Sequence, residues 1–233
     1  MLTLFFVAAI NNAGCSGDDC TPPLDDAEVS ARLQFIESHL EAAAPRAQAW
    51  FGAWTAIYGG MTVGQGVLLL ALHDRKSQVS YLVGGIGSLV GTLSMVVMPM
   101  PAAFAVGSLR HVPESTAEER RHKLAVAEHW LDRAAAGEQF EQSWLVQLGG
   151  VLVSAGLGLI LELGYRYFDA ALENTFIGIP VAQTQVRTSP TQAVRDRVEY
   201  ARRFGLPAPP ETPPLLRFKL AAVPGGLAFV GNF

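Results

Sequence analysis

The chain has 233 residues, 17 Lys and Arg against 21 Asp and Glu, a net charge of −4, and only 16% charged residues, where a typical soluble domain carries about 25%. With a mean hydropathy of +0.26, 23 glycines and 2 cysteines, it is excluded from the disordered chains, the disulfide-built mini-proteins and the basic nucleic-acid binders. The arithmetic favours a membrane protein, and no nucleic-acid partner is expected.

Residues 2–10, LTLFFVAAI, form an apolar run too short to span a bilayer and suited to the core of a secretory signal. Asn11, Asn12, Ala13 and Gly14 lead to Cys15. Small residues before a cysteine resemble the processing site of bacterial lipoproteins, which implies Cys15 as the lipidated first residue. Residues 1–15 are therefore read as a signal segment and 16–27 as an acidic, flexible tether. In an oxidising compartment Cys15 and Cys20 could pair, closing a loop too short to stabilise much.

Residues 28–44 place Val29, Leu33, Ile36 and Leu40 at helical spacing, which predicts a short amphipathic helix. Pro45 is expected to end it. From 51 to 72 apolar residues cover the whole circumference without a charge, long enough to cross about 30 Å of hydrocarbon. Trp50, Trp54 and Tyr58 would form an aromatic belt at one membrane interface. A polar turn at 73–78 leads to a second apolar stretch, 81–109, kinked or ended by Pro99 and Pro101. So short a turn makes these two helices an antiparallel hairpin.

A third span is read at 144–168, with Glu162 and Arg166 at i, i+4 able to pair and snorkel. Residues 170–186 are less apolar and contain Glu173 and Pro180; they are read as a return helix. Small residues recur four apart: Gly60 and Gly64, Gly87 and Gly91, and Gly150, Ser154 and Gly158, with Gly178 and Ala182 continuing the spacing. Lipid is as apolar as leucine, so close backbone approach at small residues has to supply helix association. These positions are the expected packing seams of a bundle over 28–186.

Between the second and third spans, residues 115–142 predict a polar helix. Ser115 or Thr116 begins a capping box with Glu118 or Glu119, and Leu124, Ala127, Leu131 and Ala134 make an apolar stripe. The opposite face carries Glu119, His122, His129 and Asp132. Glu119 and His122 form one E-x-x-H step, a spacing that di-iron bundles use twice. With no second copy, this is read as a solvated face, and neither a metal nor another cofactor is expected.

Residues 187–233 read as a small α/β tail. Ser189 as N-cap, Pro190 and Gln192 predict a helix ending at Gly205, with Arg195, Arg202 and Arg203 on its outer side. A proline linker (206–214) precedes two apolar strands around Pro224, Gly225 and Gly226.

The fold expected is mainly α: a polytopic membrane bundle of three to four spans, with an N-terminal amphipathic helix and the small tail. A cleaved signal would place the mature N-terminus in the periplasm, anchored at a bacterial-type inner membrane. Charge argues the other way: four spans with the N-terminus inside put 14 of the 17 basic residues in the cytoplasm. The signal is given precedence in this reading. No nucleophile–base or metal constellation is present, so the function expected is a non-enzymatic scaffold or assembly subunit of the cell envelope. Its partners would be membrane lipid and a protein, either another chain or a second copy. The alternative is a small transporter or channel component, with Gln65, Gln147, Glu162 and Glu173 lining a polar path.

Overall fold

In the computed structural model, α1 runs without a break from Asp26 to Ala71, 46 residues with Pro45 inside. The expected stop at Pro45 does not occur. Proline removes one backbone hydrogen bond and crowds the preceding turn, but Leu40, Ala43, Ala44, Ala47 and Trp50 are buried on both sides of it. Continuous packing along one face outweighs the local defect. Pro45→Ala should therefore raise thermal stability, by up to about 3 kcal/mol; an unchanged or lower melting temperature would contradict this.

The structure describes residues 24–207 and the backbone of two strands, β1 (Arg217–Val223) and β2 (Gly226–Asn232), paired antiparallel from Arg217–Asn232 to Val223–Gly226. The signal segment, Cys15, Cys20, most of the tether and most of the proline linker lie outside the described residues.

The molecule is mainly helical. Helix α2 (Arg75–Val97) starts at Asp74, whose carboxylate accepts from the Ser77 amide at 2.8 Å. It stops short of Pro99, so the apolar helix expected over 81–109 runs over 75–97 instead. A 3-10 turn (Pro101–Ala103) and the five-residue α3 (Ala105–Leu109) follow. Helix α4 (Ala117–Glu141) carries the capping box between Thr116 and Glu119. Helix α5 (Trp144–Leu159) runs on as a π turn, Ile160–Gly164. Arg166 then takes a left-handed φ of 59°, so the expected Glu162–Arg166 pair does not form. Helix α6 (Phe168–Thr188) contains Pro180, and α7 (Gln192–Arg203) ends before Gly205 at φ 64°.

The second half of α1 packs on α2, and α5 packs on α6. Lys76 bonds Asp169 where α2 and α6 begin, so the turns of both hairpins lie at one end. At the other end Trp50 and Trp54 donate to the Thr188 hydroxyl at 3.2 and 3.3 Å, and Tyr58 donates to Gln185 at 2.7 Å. These three aromatics are buried between helices, which corrects the interfacial belt expected of them: their N–H and O–H groups find partners inside the protein. Beyond this end, the first half of α1, α3, α4 and α7 surround a core containing Val29, Ile36, Leu40, Leu124, Leu131 and Tyr200.

The two regions differ in what they turn outward. Leu70, Val97, Leu163 and Phe176, from four different helices, are 72–85% exposed. Among the described residues, two helices are long and apolar enough to cross a membrane, Arg75–Val97 and Trp144–Gly164.

Candidate functional site

Small residues set how closely the hairpin helices approach. A Cβ on Gly150 would stand 2.7 Å from the Ala182 methyl, one on Gly178 would stand 2.7 Å from Ser154 Oγ, and one on Gly158 would collide with Thr175. The α5–α6 seam therefore has no room for side chains at these steps. Between α1 and α2, Gly91 receives the Tyr58 ring, which a Cβ would meet at 2.5 Å. Gly87 faces Leu157 across the two hairpins, 2.7 Å from where its Cβ would be. Gly60 and Gly64 have nothing within 4 Å of a Cβ, so the close approach on α1 is made by Tyr58 and not by these glycines.

The two hairpins are themselves less closely packed on each other, and a cleft of about 710 Å³ lies between them. It reaches from Lys76 and Asp169 at the hairpin turns to Phe140 and Glu141 beside the polar region. Its middle is lined by hydrogen-bonding side chains, including Gln65, Ser80, Ser88 and Asn174. The Thr62 and Ser88 hydroxyls lie 3.1 Å apart, Ser88 Oγ is 3.5 Å from Gln65 Oε1, and Asn174 Nδ2 donates to Ser80 Oγ at 3.2 Å. Val153, Leu157 and Ile177 supply apolar wall.

Four ionisable side chains other than tyrosine line the cleft: Lys76, Glu141, Asp169 and Glu173. Lys76 is held by Asp169. Among the described residues Glu141 and Glu173 have neither an ion-pair nor a hydrogen-bond partner. Burial pushes the Glu141 carboxyl above its ordinary range.

Of the four residues read as a polar path, Gln65 and Glu173 line the cleft. Gln147 turns back to donate to the Gln142 carbonyl at 3.0 Å, and Glu162 sits in the π turn with Oε2 buried and unpartnered. The sequence reading missed Ser80, Ser88, Asn174, Gln185 and Glu141. A helical spacing of small and polar residues was the available signal: Ser77, Ser80, Gly84, Ser88 and Gly91 on α2, and Asn174, Gly178 and Gln185 on α6.

A second concentration of buried charge joins α4 to α7. The expected Ser189–Gln192 capping box is absent: Ser189 Oγ donates to its own helix at Val186 O, and the Gln192 amide donates to Asp196 at 2.7 Å. Glu138 of α4 takes over the role. It is 1% exposed, and its Oε2 accepts from the Val194 amide at 3.1 Å. The exposed N-terminal amides of a helix favour a carboxylate there, yet burial dominates and lifts the Glu138 carboxyl to about 7. Asp196, also buried and also shifted up by burial, adds to this by repulsion. Glu138 Oε1 and Asp196 Oδ2 are buried without partners.

Elsewhere in the polar region the buried cations are paired. Arg32 contacts Glu28 and lies 3.6 Å from Glu128, under the Phe204 ring, while Lys123 bridges Glu37 and Glu114. Glu119 is occupied by its capping box and His122 is exposed. No group of three or more His, Cys, Asp or Glu converges among the described residues.

No family model matches the sequence, and no curated protein or solved structure shows detectable similarity to it.

Proposed function

We propose that this chain is a four-helix integral membrane protein that admits a small solute into the cleft between its two hairpins. The observation that carries the reading is the inversion of polarity in this region: large apolar side chains outside, amide and hydroxyl groups inside. A soluble core helix would be mostly buried. The most apolar windows of Arg75–Val97 and Trp144–Gly164 are only 22% and 11% buried, which suits a lipid-facing exterior. The second half of α1 and α6 complete the four spans.

Cleft size favours the transport alternative over the scaffold. The cleft, at about 710 Å³, falls within the range of small-molecule sites, about 300–1,000 Å³.

The arrangement also favours the orientation opposite to the one the signal implied. Of the fifteen Lys and Arg in 24–207, only Arg75, Lys76 and Arg166 flank the hairpin turns; the other twelve lie toward the polar region. The positive-inside rule then places α4, α7 and the start of α1 in the cytoplasm of an inner-membrane protein.

Substituted cysteines test the cleft. With Cys15 and Cys20 changed to Ser, Ser80→Cys in proteoliposomes should react with a small, charged, membrane-impermeant methanethiosulfonate. Leu93→Cys, on an apolar outer face, should not. An unreactive Ser80→Cys would mean that lipid or protein fills the cleft and would end the solute reading. A Leu93→Cys that reacts equally fast would end the membrane reading.

A further inference from the structure

The charge distribution of the cleft narrows the solute, and the argument rests on the solute-binding reading above. The single cationic side chain on the lining, Lys76, is engaged by Asp169. That leaves Glu141 and Glu173, both facing the cleft and both without a partner among the described residues. They sit toward opposite ends: Glu173 is one turn beyond Asp169, while Glu141 shares the other end with Tyr58, which bonds Gln185. From 173 to 185 along α6 is about 18 Å at 1.5 Å per residue.

Two carboxylates that far apart cannot share one metal ion, which needs its ligands within about 2–2.6 Å of a single point. They can each hold one cationic group in turn. Between them lie neutral amides and hydroxyls, and apolar wall from Val153, Leu157 and Ile177. A small hydrated cation gains nothing from that wall. An organic cation with an apolar body uses both parts. Phe140, exposed at the Glu141 end of the lining, offers an aromatic ring to the same cation. An anion finds no unengaged cation on the lining and meets the two partnerless acidic side chains instead.

We infer that the cleft binds lipophilic organic cations, with Glu173 and Glu141 as alternative seats for the positive charge at its two ends.

The experiment uses the full-length protein in detergent, with tetraphenylphosphonium as the cation and tetraphenylborate as an anion of nearly the same size and shape. Binding is followed by equilibrium dialysis. Tetraphenylphosphonium should bind, tetraphenylborate should not, and the double variant Glu141→Gln/Glu173→Gln should lose at least tenfold in affinity for the cation. Because Gln nearly preserves shape, folding of the variant is verified by its elution volume. A third variant, Glu173→Asp, keeps the charge and should retain measurable binding where Glu173→Gln is weaker. Equal binding of the two probes, or cation binding unaffected in the double variant, would overturn the inference. If neither probe binds while Ser80→Cys stays reactive, the cation preference is wrong and the solute-binding cleft stands. If Ser80→Cys is itself unreactive, the reading beneath it has failed.

Discussion

Glu138→Gln is expected to abolish a stability loss of about 3 kcal/mol that the native protein undergoes as pH rises from about 4.5 to above 7. The folded-state carboxyl titrates near 7, against 4.5 for an ordinary glutamate. Between those values the folded protein holds a proton that the unfolded chain has released. Stability from this group is therefore complete below the ordinary value and is lost as pH climbs through about 7. Gln keeps an acceptor for the Val194 amide, carries no charge, and removes the repulsion felt by Asp196, so the variant should be more stable than the native protein at pH 8. Asp196, shifted in the same direction by burial, leaves a residual slope of the same sign. Glu138→Ala differs: it strips the acceptor from the start of α7 and should destabilise at every pH. Melting temperatures at pH 5.5 and pH 8 separate the three proteins. An undiminished pH dependence in Glu138→Gln would show that the buried carboxyl is not its source.

Gly178→Leu is expected to prevent stable packing of α5 on α6, while Gly60→Leu should be tolerated. At 178 even a Cβ would lie 2.7 Å from Ser154 Oγ and 3.0 Å from its Cβ, with the Ser154 backbone only 3.8 Å away. A leucine there cannot rotate clear and has to push the helices apart. In the membrane setting proposed above, that loss would not be offset by burying apolar surface elsewhere, because close packing would be what holds the helices together. A penalty of about 3 kcal/mol or more follows from overpacking. Gly60 has nothing within 4 Å of a Cβ, and leucine is a better helix former than glycine. The yield of monodisperse protein after detergent extraction, with its melting temperature, measures the contrast. Equal behaviour of the two variants would refute the seam.

What the sequence made legible was the helical content and the local signals. The Thr116–Glu119 capping box could be read because both partners lie within four residues, and the α4 stripe because its period is set by helix geometry. What escaped was tertiary. Whether Pro45 breaks a helix depends on how Leu40 through Trp50 pack against elements more than fifty residues away. Ser189 and Gln192 carry the right residue types for a cap, yet Glu138, from another helix, provides the acceptor. Trp50, Trp54 and Tyr58 look like interfacial anchors until Thr188 and Gln185, over 120 residues on, are placed beside them. In the cleft, Gln65 and Glu173 stood out as polar residues in apolar runs. Ser80 and Ser88 did not, since serine is unremarkable in a glycine-rich helix, and Glu141 was hidden in a charged stretch.

Helix α1 belongs to both regions, and at 46 residues it is about 69 Å long. Tyr58 presses on Gly91 at the cleft, and Val29, Ile36 and Leu40 are locked into the polar core. No loop separates these contacts to absorb a change in angle. A tilt of about 5° pivoting near the middle of such a rod displaces each tip by roughly 3 Å. Widening the cleft on the α1 side would therefore strain the junction of α1 with α4 and α7, and a molecule gripping the polar region would push back on the cleft through the same beam.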